Sequence, residues 1–352
     1  MANVGEPMSK LEIRYRGMPV WLSSVLLFAS CAHAETCVTQ SQMLSTEKAT
    51  LSDTAHTLAV KIQGNDQVGV KYATIPEFAK NFSSIASAIA STSPKLAGDL
   101  AEVEQIYILD ASMNKANADG SLPDADFVCT LNKGSGEADF SIPSLPPGRY
   151  AFAIVQFSGP SPLMLSMLMR QDATGAPWKL AGLFPKESTA AGHDGLWYWS
   201  HARAMTASKQ PWVAYIYYRE AQQLLRPASF VSSTHLESLR SEASSAMPSE
   251  MGDDISADAP LVVKGTDGKE YRFIALGPDD SLHKDKLDIV AHLVFDPTIS
   301  DQAIATQRNR DAMKALLTHH PELRLNFHGM WVLAEAPGRP SVAVESAMDD
   351  IQ

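Results

Sequence analysis

The chain has 352 residues, 45% of them hydrophobic and 20% charged, with a formal net charge of −11. That is room for about two or three domains with ordinary cores, needing no metal or disulfide staple to fold. The acidity removes electrostatic support for a nucleic-acid partner, and no basic stripe interrupts it.

Lys10, Arg14 and Arg16 form a positive flank, Met18 to Ser30 carries no charge, and Ala32-His33-Ala34 follows. This is the order of a secretory signal peptide with a small-x-small cleavage site. The apolar block is shorter than the ~20 residues of a membrane span. The expectation is export to the periplasm or outside the cell, with 1–34 removed and no transmembrane segment in the mature chain. A buried core helix is the plainer alternative. Phe28-Ala29-Ser30-Cys31 also resembles a bacterial lipobox, which would instead leave the protein lipid-anchored in the envelope through Cys31. Cleavage after Ala34 takes three cations and two acids, leaving a charge of −12 and two thiols, Cys37 and Cys129. In an oxidising compartment these suggest one disulfide. Alternation in Asp126–Leu131 puts Cys129 beside Phe127 and Leu131, facing a core; two unpaired thiols are the other reading.

In chain order, 35–55 is polar and reads as loose. His56 to Tyr72 reads as two short strands around Gly64-Asn65-Asp66. Thr74-Ile75-Pro76-Glu77 has the form of a capping box. Behind it Ile75, Phe78, Ala79, Phe82, Ile85, Ala86 and Ile89 recur at helical spacing. Ser93-Pro94 opens a shorter helix ending near Val103. The period then becomes two, with strands expected over 105–111, 125–131, 137–142, 149–158, 162–170 and 177–184, punctuated by Gly and Pro turns as in an antiparallel meander. On 162–170, Leu163, Leu165, Met167 and Met169 share one face, and Met164 and Leu168 on the other imply cover on both sides.

Helices followed by a curved sheet ending in Trp178-Lys179-Leu180-Ala181-Gly182-Leu183-Phe184 resemble the NTF2-like cone fold over about 75–185. The resemblance implies a cavity that binds apolar molecules or hosts a small acid–base site. Leu145-Pro146-Pro147-Gly148-Arg149-Tyr150 is similar to a turn of transthyretin-like β-sandwich modules, a competing reading. Ala202, Ala214, Tyr217, Tyr218, Ala221, Leu224 and Pro227 resemble one tetratricopeptide repeat, and without further copies this implies a helical hairpin rather than a solenoid.

Residues 241–260 read as a linker or weak helix. From Leu261 follow a strand, a Thr266-Asp267-Gly268-Lys269 hairpin turn, strands 270–276 and 287–295, helix 301–319 and strand 326–334. The expected class is α+β: a curved antiparallel sheet with N-terminal helices, a helical hairpin and a small C-terminal α+β domain. The boundaries are 1–34 signal peptide, 35–74 N-terminal segment, 75–190 cone, 191–240 hairpin, 241–260 linker and 261–352 C-terminal domain.

Candidate chemistry is sparse. Asn117-x-Asp119-Gly120, with Asp126 beyond, approaches a calcium loop, but Lys115 occupies the first ligand position, so a hairpin turn is the better reading. The densest cluster is 192–203, where His193, Asp194, His201 and Arg203 are candidates for acid–base work amid Trp197, Tyr198 and Trp199. Those aromatics equally suit packing alone. His283, His292, His319, His320 and His328 suggest a metal only loosely, since adjacent helical histidines point about 100° apart. Asp288 and His292 share a strand face and either pair or form a half-exposed surface. No metal site or cofactor is expected, and P-loop, G-x-G-x-x-G, G-x-S-x-G and C-x-x-C motifs do not occur. The expected role is non-catalytic binding of a small apolar ligand or an envelope protein. The rival is an isomerase or hydrolase with a histidine base in the cone or at 192–203.

Overall fold

The computed structural model describes residues 35–131, 134, 136–251, 254–279, 286–335 and 341–351. The expected signal peptide, with Cys31, and His283 lie outside the described residues.

The first elements differ from the sequence reading. β1 (Thr36–Thr39) is followed by α1 (Ser45–Gln63), where a loose segment and a strand were expected. The buried residues Leu51, Ala55, Leu58, Ala59 and Ile62 trace one helical stripe across both of those segments. Gly64-Asn65-Asp66 is a turn between helices, not strands. Asn65 takes a positive φ of 53°, and the Asp66 carboxylate accepts from Gly69 N at 2.8 Å to cap α2 (Gln67–Tyr72).

The long helix expected behind Thr74 is split into α3 (Pro76–Lys80) and α4 (Ser83–Thr92). The capping box does not form. Thr74 Oγ1 donates to Val70 O at 2.7 Å, and Glu77 reaches Arg170 Nη2 at 3.0 Å. Ser93–Leu96 is a single 3-10 turn, and β2 (Leu100–Asp110) begins where a second helix was expected.

Next come β3 (Ala125–Leu131), β4 (Gly136–Ile142), β5 (Arg149–Ser158), β6 (Leu163–Gln171) and β7 (Trp178–Glu187). They do not form one meander. A five-stranded antiparallel sheet runs β1-β2-β5-β6-β7, while β3 and β4 leave it to join β10 (Val231–Ser233). The physical reason is burial. β3 and β4 alternate, so they have one apolar face, whereas β6 is buried on both sides. Leu163, Leu165, Met167 and Met169 pack with α1 and α4, and Leu168 packs with Phe127, Phe140 and Phe152 beneath the second sheet. Bulges at Val103/Gln105 and Leu168/Met169 bend the strands. The Cys37 and Cys129 sulfurs are bonded, with Cα atoms 5.2 Å apart, joining β1 of the large sheet to β3 of the small one.

A short ladder of β8 (Thr189–Ala190) and β9 (His193–Asp194) leads into α5 (Gly195–Ala207) and α6 (Pro211–Leu225), which pack on each other. Gly195 permits this, since a Cβ there would lie 2.5 Å from Leu225 Cγ. α7 (Thr234–Ser245) occupies the start of the expected linker.

β11 (Leu261–Lys264), β12 (Glu270–Asp279) and β13 (Asp288–Val294) precede α8 (Gln302–His319), α9 (Leu323–Asn326), β14 (Gly329–Glu335) and β15 (Val342–Ala347). The sheet keeps chain order. β13 and β14 are parallel, connected through α8, and the remaining neighbours are antiparallel. Trp212, Tyr215 and Tyr217 of α6 share one apolar cluster with Tyr271, Phe273, Ile289 and Leu316 of this region. The whole is an α+β protein with mostly antiparallel sheets.

Candidate functional site

The 192–203 cluster is assembled by the start of α5. Asp194 caps the helix, its carboxylate accepting from Trp197 N at 2.7 Å. His193 and His201 each stack on Trp197 at 3.7 Å between ring centroids, 6° and 21° from parallel. Two rings at that distance from one indole must occupy its opposite faces, so the imidazoles are held apart by it. His201 Nδ1 is also 2.8 Å from Trp197 O. Arg203 donates to both oxygens of Glu242 on α7, at 2.7 and 2.6 Å, and lies over Trp199 at 4.6 Å. Trp199 Nε1 donates to Glu242 Oε2 at 2.8 Å. These bonds, Arg203 foremost, hold the Glu242 carboxyl below its ordinary range. The four candidate residues are therefore each engaged, and they do not converge on a common point.

The remaining histidines lie elsewhere. His319 Nε2 is 3.0 Å from Lys264 O, and His320 sits against Trp212 with centroids 4.2 Å apart. Asp288, only 1% exposed, meets not His292 but His328, whose Nδ1 is 3.1 Å away and whose Nε2 is 3.2 Å from Lys286 Nζ. The sequence reading missed this pair because β13 and the chain entering β14 are adjacent only through the parallel ladder. Around Asn117, the Asp119 carboxylate accepts from Ser121 N and Oγ at 2.9 and 2.7 Å, forming a turn. No group of three or more His, Cys, Asp or Glu side chains suited to a metal ion occurs among the described residues.

His320 carries a pH prediction. Burial holds its imidazole down to about 4, with Glu250 pulling it up and His319 pushing it down. In the unfolded chain it titrates near 6.5, so between those values the unfolded state binds the additional proton. Stability from neutral His320 is thus complete above pH 6.5 and is lost as the pH falls toward about 4, by at most about 1.4 kcal/mol per pH unit. Urea midpoints of His320→Gln should fall less between neutral pH and about pH 5 than those of wild type. An equal fall in both would refute the assignment.

One open space with convergent polar side chains is a cleft of about 460 Å³ between the end of β7, one face of α6 and α7. Lys186 enters from β7, Arg219, Gln222 and Gln223 from α6, Arg226 from just past its C-terminus, and Arg240 from α7. Two of the cations are engaged. Arg219 lies 3.3 Å from Asp254, and Arg240 donates to Glu237 at 2.9 and 2.5 Å. Tyr215 also donates to Asp254, and burial together with that bond raises its hydroxyl to about 12, so it remains a donor at ordinary pH. Lys186 Nζ donates to Arg226 O at 2.9 Å. Burial pushes the Lys186 ammonium down and the Arg226 guanidinium adds repulsion, with Glu220 opposing both. Arg226 Nε is buried and has no hydrogen-bond partner among the described residues, a state that costs about 1–3 kcal/mol. Sequence inspection passed over this face because α6 reads as apolar overall. The available signal was Arg219, Gln222 and Gln223 at i, i+3 and i+4, a polar stripe on a helix otherwise rich in buried aromatics, with Arg226 following just past its end.

The face of the large sheet that the cone resemblance offered as a cavity is occupied by Leu51, Leu58, Ile62, Ile89 and Leu165, all buried in one apolar cluster. No helix among the described residues is long and apolar enough to cross a membrane. Comparison of the chain with known protein families, curated proteins and solved structures found no match.

Proposed function

We propose that the protein is exported and binds a small molecule without catalysis, using the cleft between β7, α6 and α7. The observation that carries this is the cleft itself, where side chains from three elements converge on open space. The acid–base candidates at 193–203 are meanwhile spent on a cap, a ring stack and an ion pair. Within this reading the helices and bent sheet of the N-terminal half are an NTF2-like scaffold, and α5 with α6 is a tetratricopeptide-like hairpin. Four helices between β1 and the remaining strands of a bulged antiparallel sheet favour the scaffold, and the small buried residues Ala202, Ala214 and Ala221 of α5 and α6 favour the hairpin.

The decisive test exposes the protein to a small-molecule extract of its host and measures retained mass by native mass spectrometry. Ser244→Trp, filling the exposed wall of the cleft, should abolish retention, while His193→Ala and His201→Ala should not. Retention lost in the histidine variants but kept in Ser244→Trp would return the function to the 192–203 cluster.

Export is supported by the cysteine pair at disulfide distance. Glu35 is itself fastened, accepting from Asn114 Nδ2 at 2.9 Å and Asp126 N at 2.6 Å. Intact mass of protein from its native host is expected to correspond to a chain starting at Glu35. Retention of residues 8–34 would overturn this, and a diacylated Cys31 would make the protein lipid-anchored instead.

A further inference from the structure

We propose that the cleft is an oxyanion site, taking the phosphoryl, sulfo or carboxylate group of its ligand between Arg226 and Lys186. The proposal rests on the reading of this cleft as a ligand site and adds the chemistry of what enters it.

Among the described residues lining the cleft there are four cations, Lys186, Arg219, Arg226 and Arg240, against one acid, Asp254. That acid is already held by Arg219 and Tyr215, and Arg240 is held by Glu237. The lining cations left without an ion pair among the described residues are Lys186 and Arg226, with Glu220 acting on the ammonium from outside the lining. Arg226 makes no ion pair among the described residues, and its Nε–H is sealed from water with nothing to bond. Lys186 uses one of its three donors on the Arg226 carbonyl, which fixes the ammonium at that residue's backbone, within electrostatic reach of its guanidinium. Two like charges brought together in a half-buried position repel, and the guanidinium adds to burial in disfavouring the charged Lys186 ammonium. A negatively charged group between them removes the repulsion and accepts from both. Oxygen atoms of a tetrahedral or planar oxyanion suit the fork of a guanidinium and the point charge of an ammonium. Gln222 and Gln223 add neutral donors on the same wall.

In a protein of net charge −11, such a local reversal of sign has a further consequence. Anions are repelled by the net charge of the protein and attracted at this cleft, so binding should be strongly salt-dependent.

Isothermal titration calorimetry on the full chain tests this with sodium phosphate, sulfate and succinate, and with glycerol as the uncharged control, at matched ionic strength in chloride. At least one oxyanion should bind and glycerol should not. Preference for phosphate or sulfate over succinate would mark the group as tetrahedral, and the reverse as a carboxylate. Arg226→Met and Ser229→Glu, the latter at the exposed rim, should each weaken binding about tenfold or more. Arg272→Gln, on the C-terminal sheet, should leave it unchanged. If Arg226→Met fails to fold by circular dichroism, Ser229→Glu and the salt titration decide. Failure of all three anions to bind, or binding indifferent to Ser229→Glu and to salt, overturns the oxyanion assignment. If an uncharged ligand is nonetheless retained by wild type and lost in Ser244→Trp, the ligand site stands and only its chemistry is refuted. If nothing is retained, both fall.

Discussion

Reducing the Cys37–Cys129 disulfide is expected to destabilise the protein by about 2–4 kcal/mol, the usual range for such a bridge. The bond closes a loop of 92 residues. The chain-entropy model gives about 4–5 kcal/mol for a loop of that length, before native strain and residual denatured structure lower it. The bridge does more here than tie down a terminus. β1 is the edge strand of the large sheet, and β3 belongs to the small sheet packed across its face. Cys37 pairs with Leu109 in the ladder, and Cys129 is fully buried beside Phe127 and Phe140. Losing the bond frees the edge strand to fray while the second sheet keeps its apolar contacts. The expected outcome is a lower thermal midpoint of the same folded form, not collapse. Melting with and without reductant measures it, alongside alkylation to count thiols. Two alkylated cysteines at positions 37 and 129 before reduction, or an unchanged melt after proven reduction, would reject the argument.

Trp199→Ala is expected to cost about 3–5 kcal/mol, the range for truncating a buried aromatic. Trp199 is 8% exposed and carries the indole N–H bond to Glu242 that joins α5 to α7. Trp199→Phe keeps most of the volume and loses that bond, so about 1 kcal/mol is expected. Trp197→Ala should cost less than Trp199→Ala, about 1–2 kcal/mol. Its ring is only half-buried, packed at the edge of the core against Tyr198 and Tyr217 and stacked by the imidazoles of His193 and His201. Urea unfolding with an unchanged m-value orders the three variants. Trp199→Ala as stable as wild type would place its ring at an exposed surface and reopen the cluster as a binding site.

Where one apolar face was enough to describe an element, local sequence described it well. β3 and β5 have the bounds read from period-two alternation and turn residues, 125–131 and 149–158. The Asp267-Gly268 turn forms with Gly268 at a φ of 81°, a conformation that glycine reaches without a Cβ penalty. The two-sided burial of β6 was legible too, because apolar residues on both faces need cover on both. The reading failed where a pattern was interrupted by polar residues. The stripe of α1 is spaced in sequence by Thr54, His56 and Thr57 of its other face, which make its two halves look like different elements. Likewise the Thr74 box lost to a bond between Ile75 N and Leu180 O that no local rule anticipates.

The sequence by itself determined the α+β class, most strand positions and the identity of the two cysteines that could meet in a chain without Cys31. Each follows from short-range periodicity, turn stereochemistry or counting. Only the tertiary structure decided that β3 and β4 leave the large sheet, that α6 shares its core with the C-terminal sheet, and that Lys186 lies beside Arg226. The Asp288–His328 contact belongs with these. In each case the partners are separated by tens of residues, and their meeting depends on which faces must be buried together, a choice made by the whole chain's apolar area rather than by any window of it.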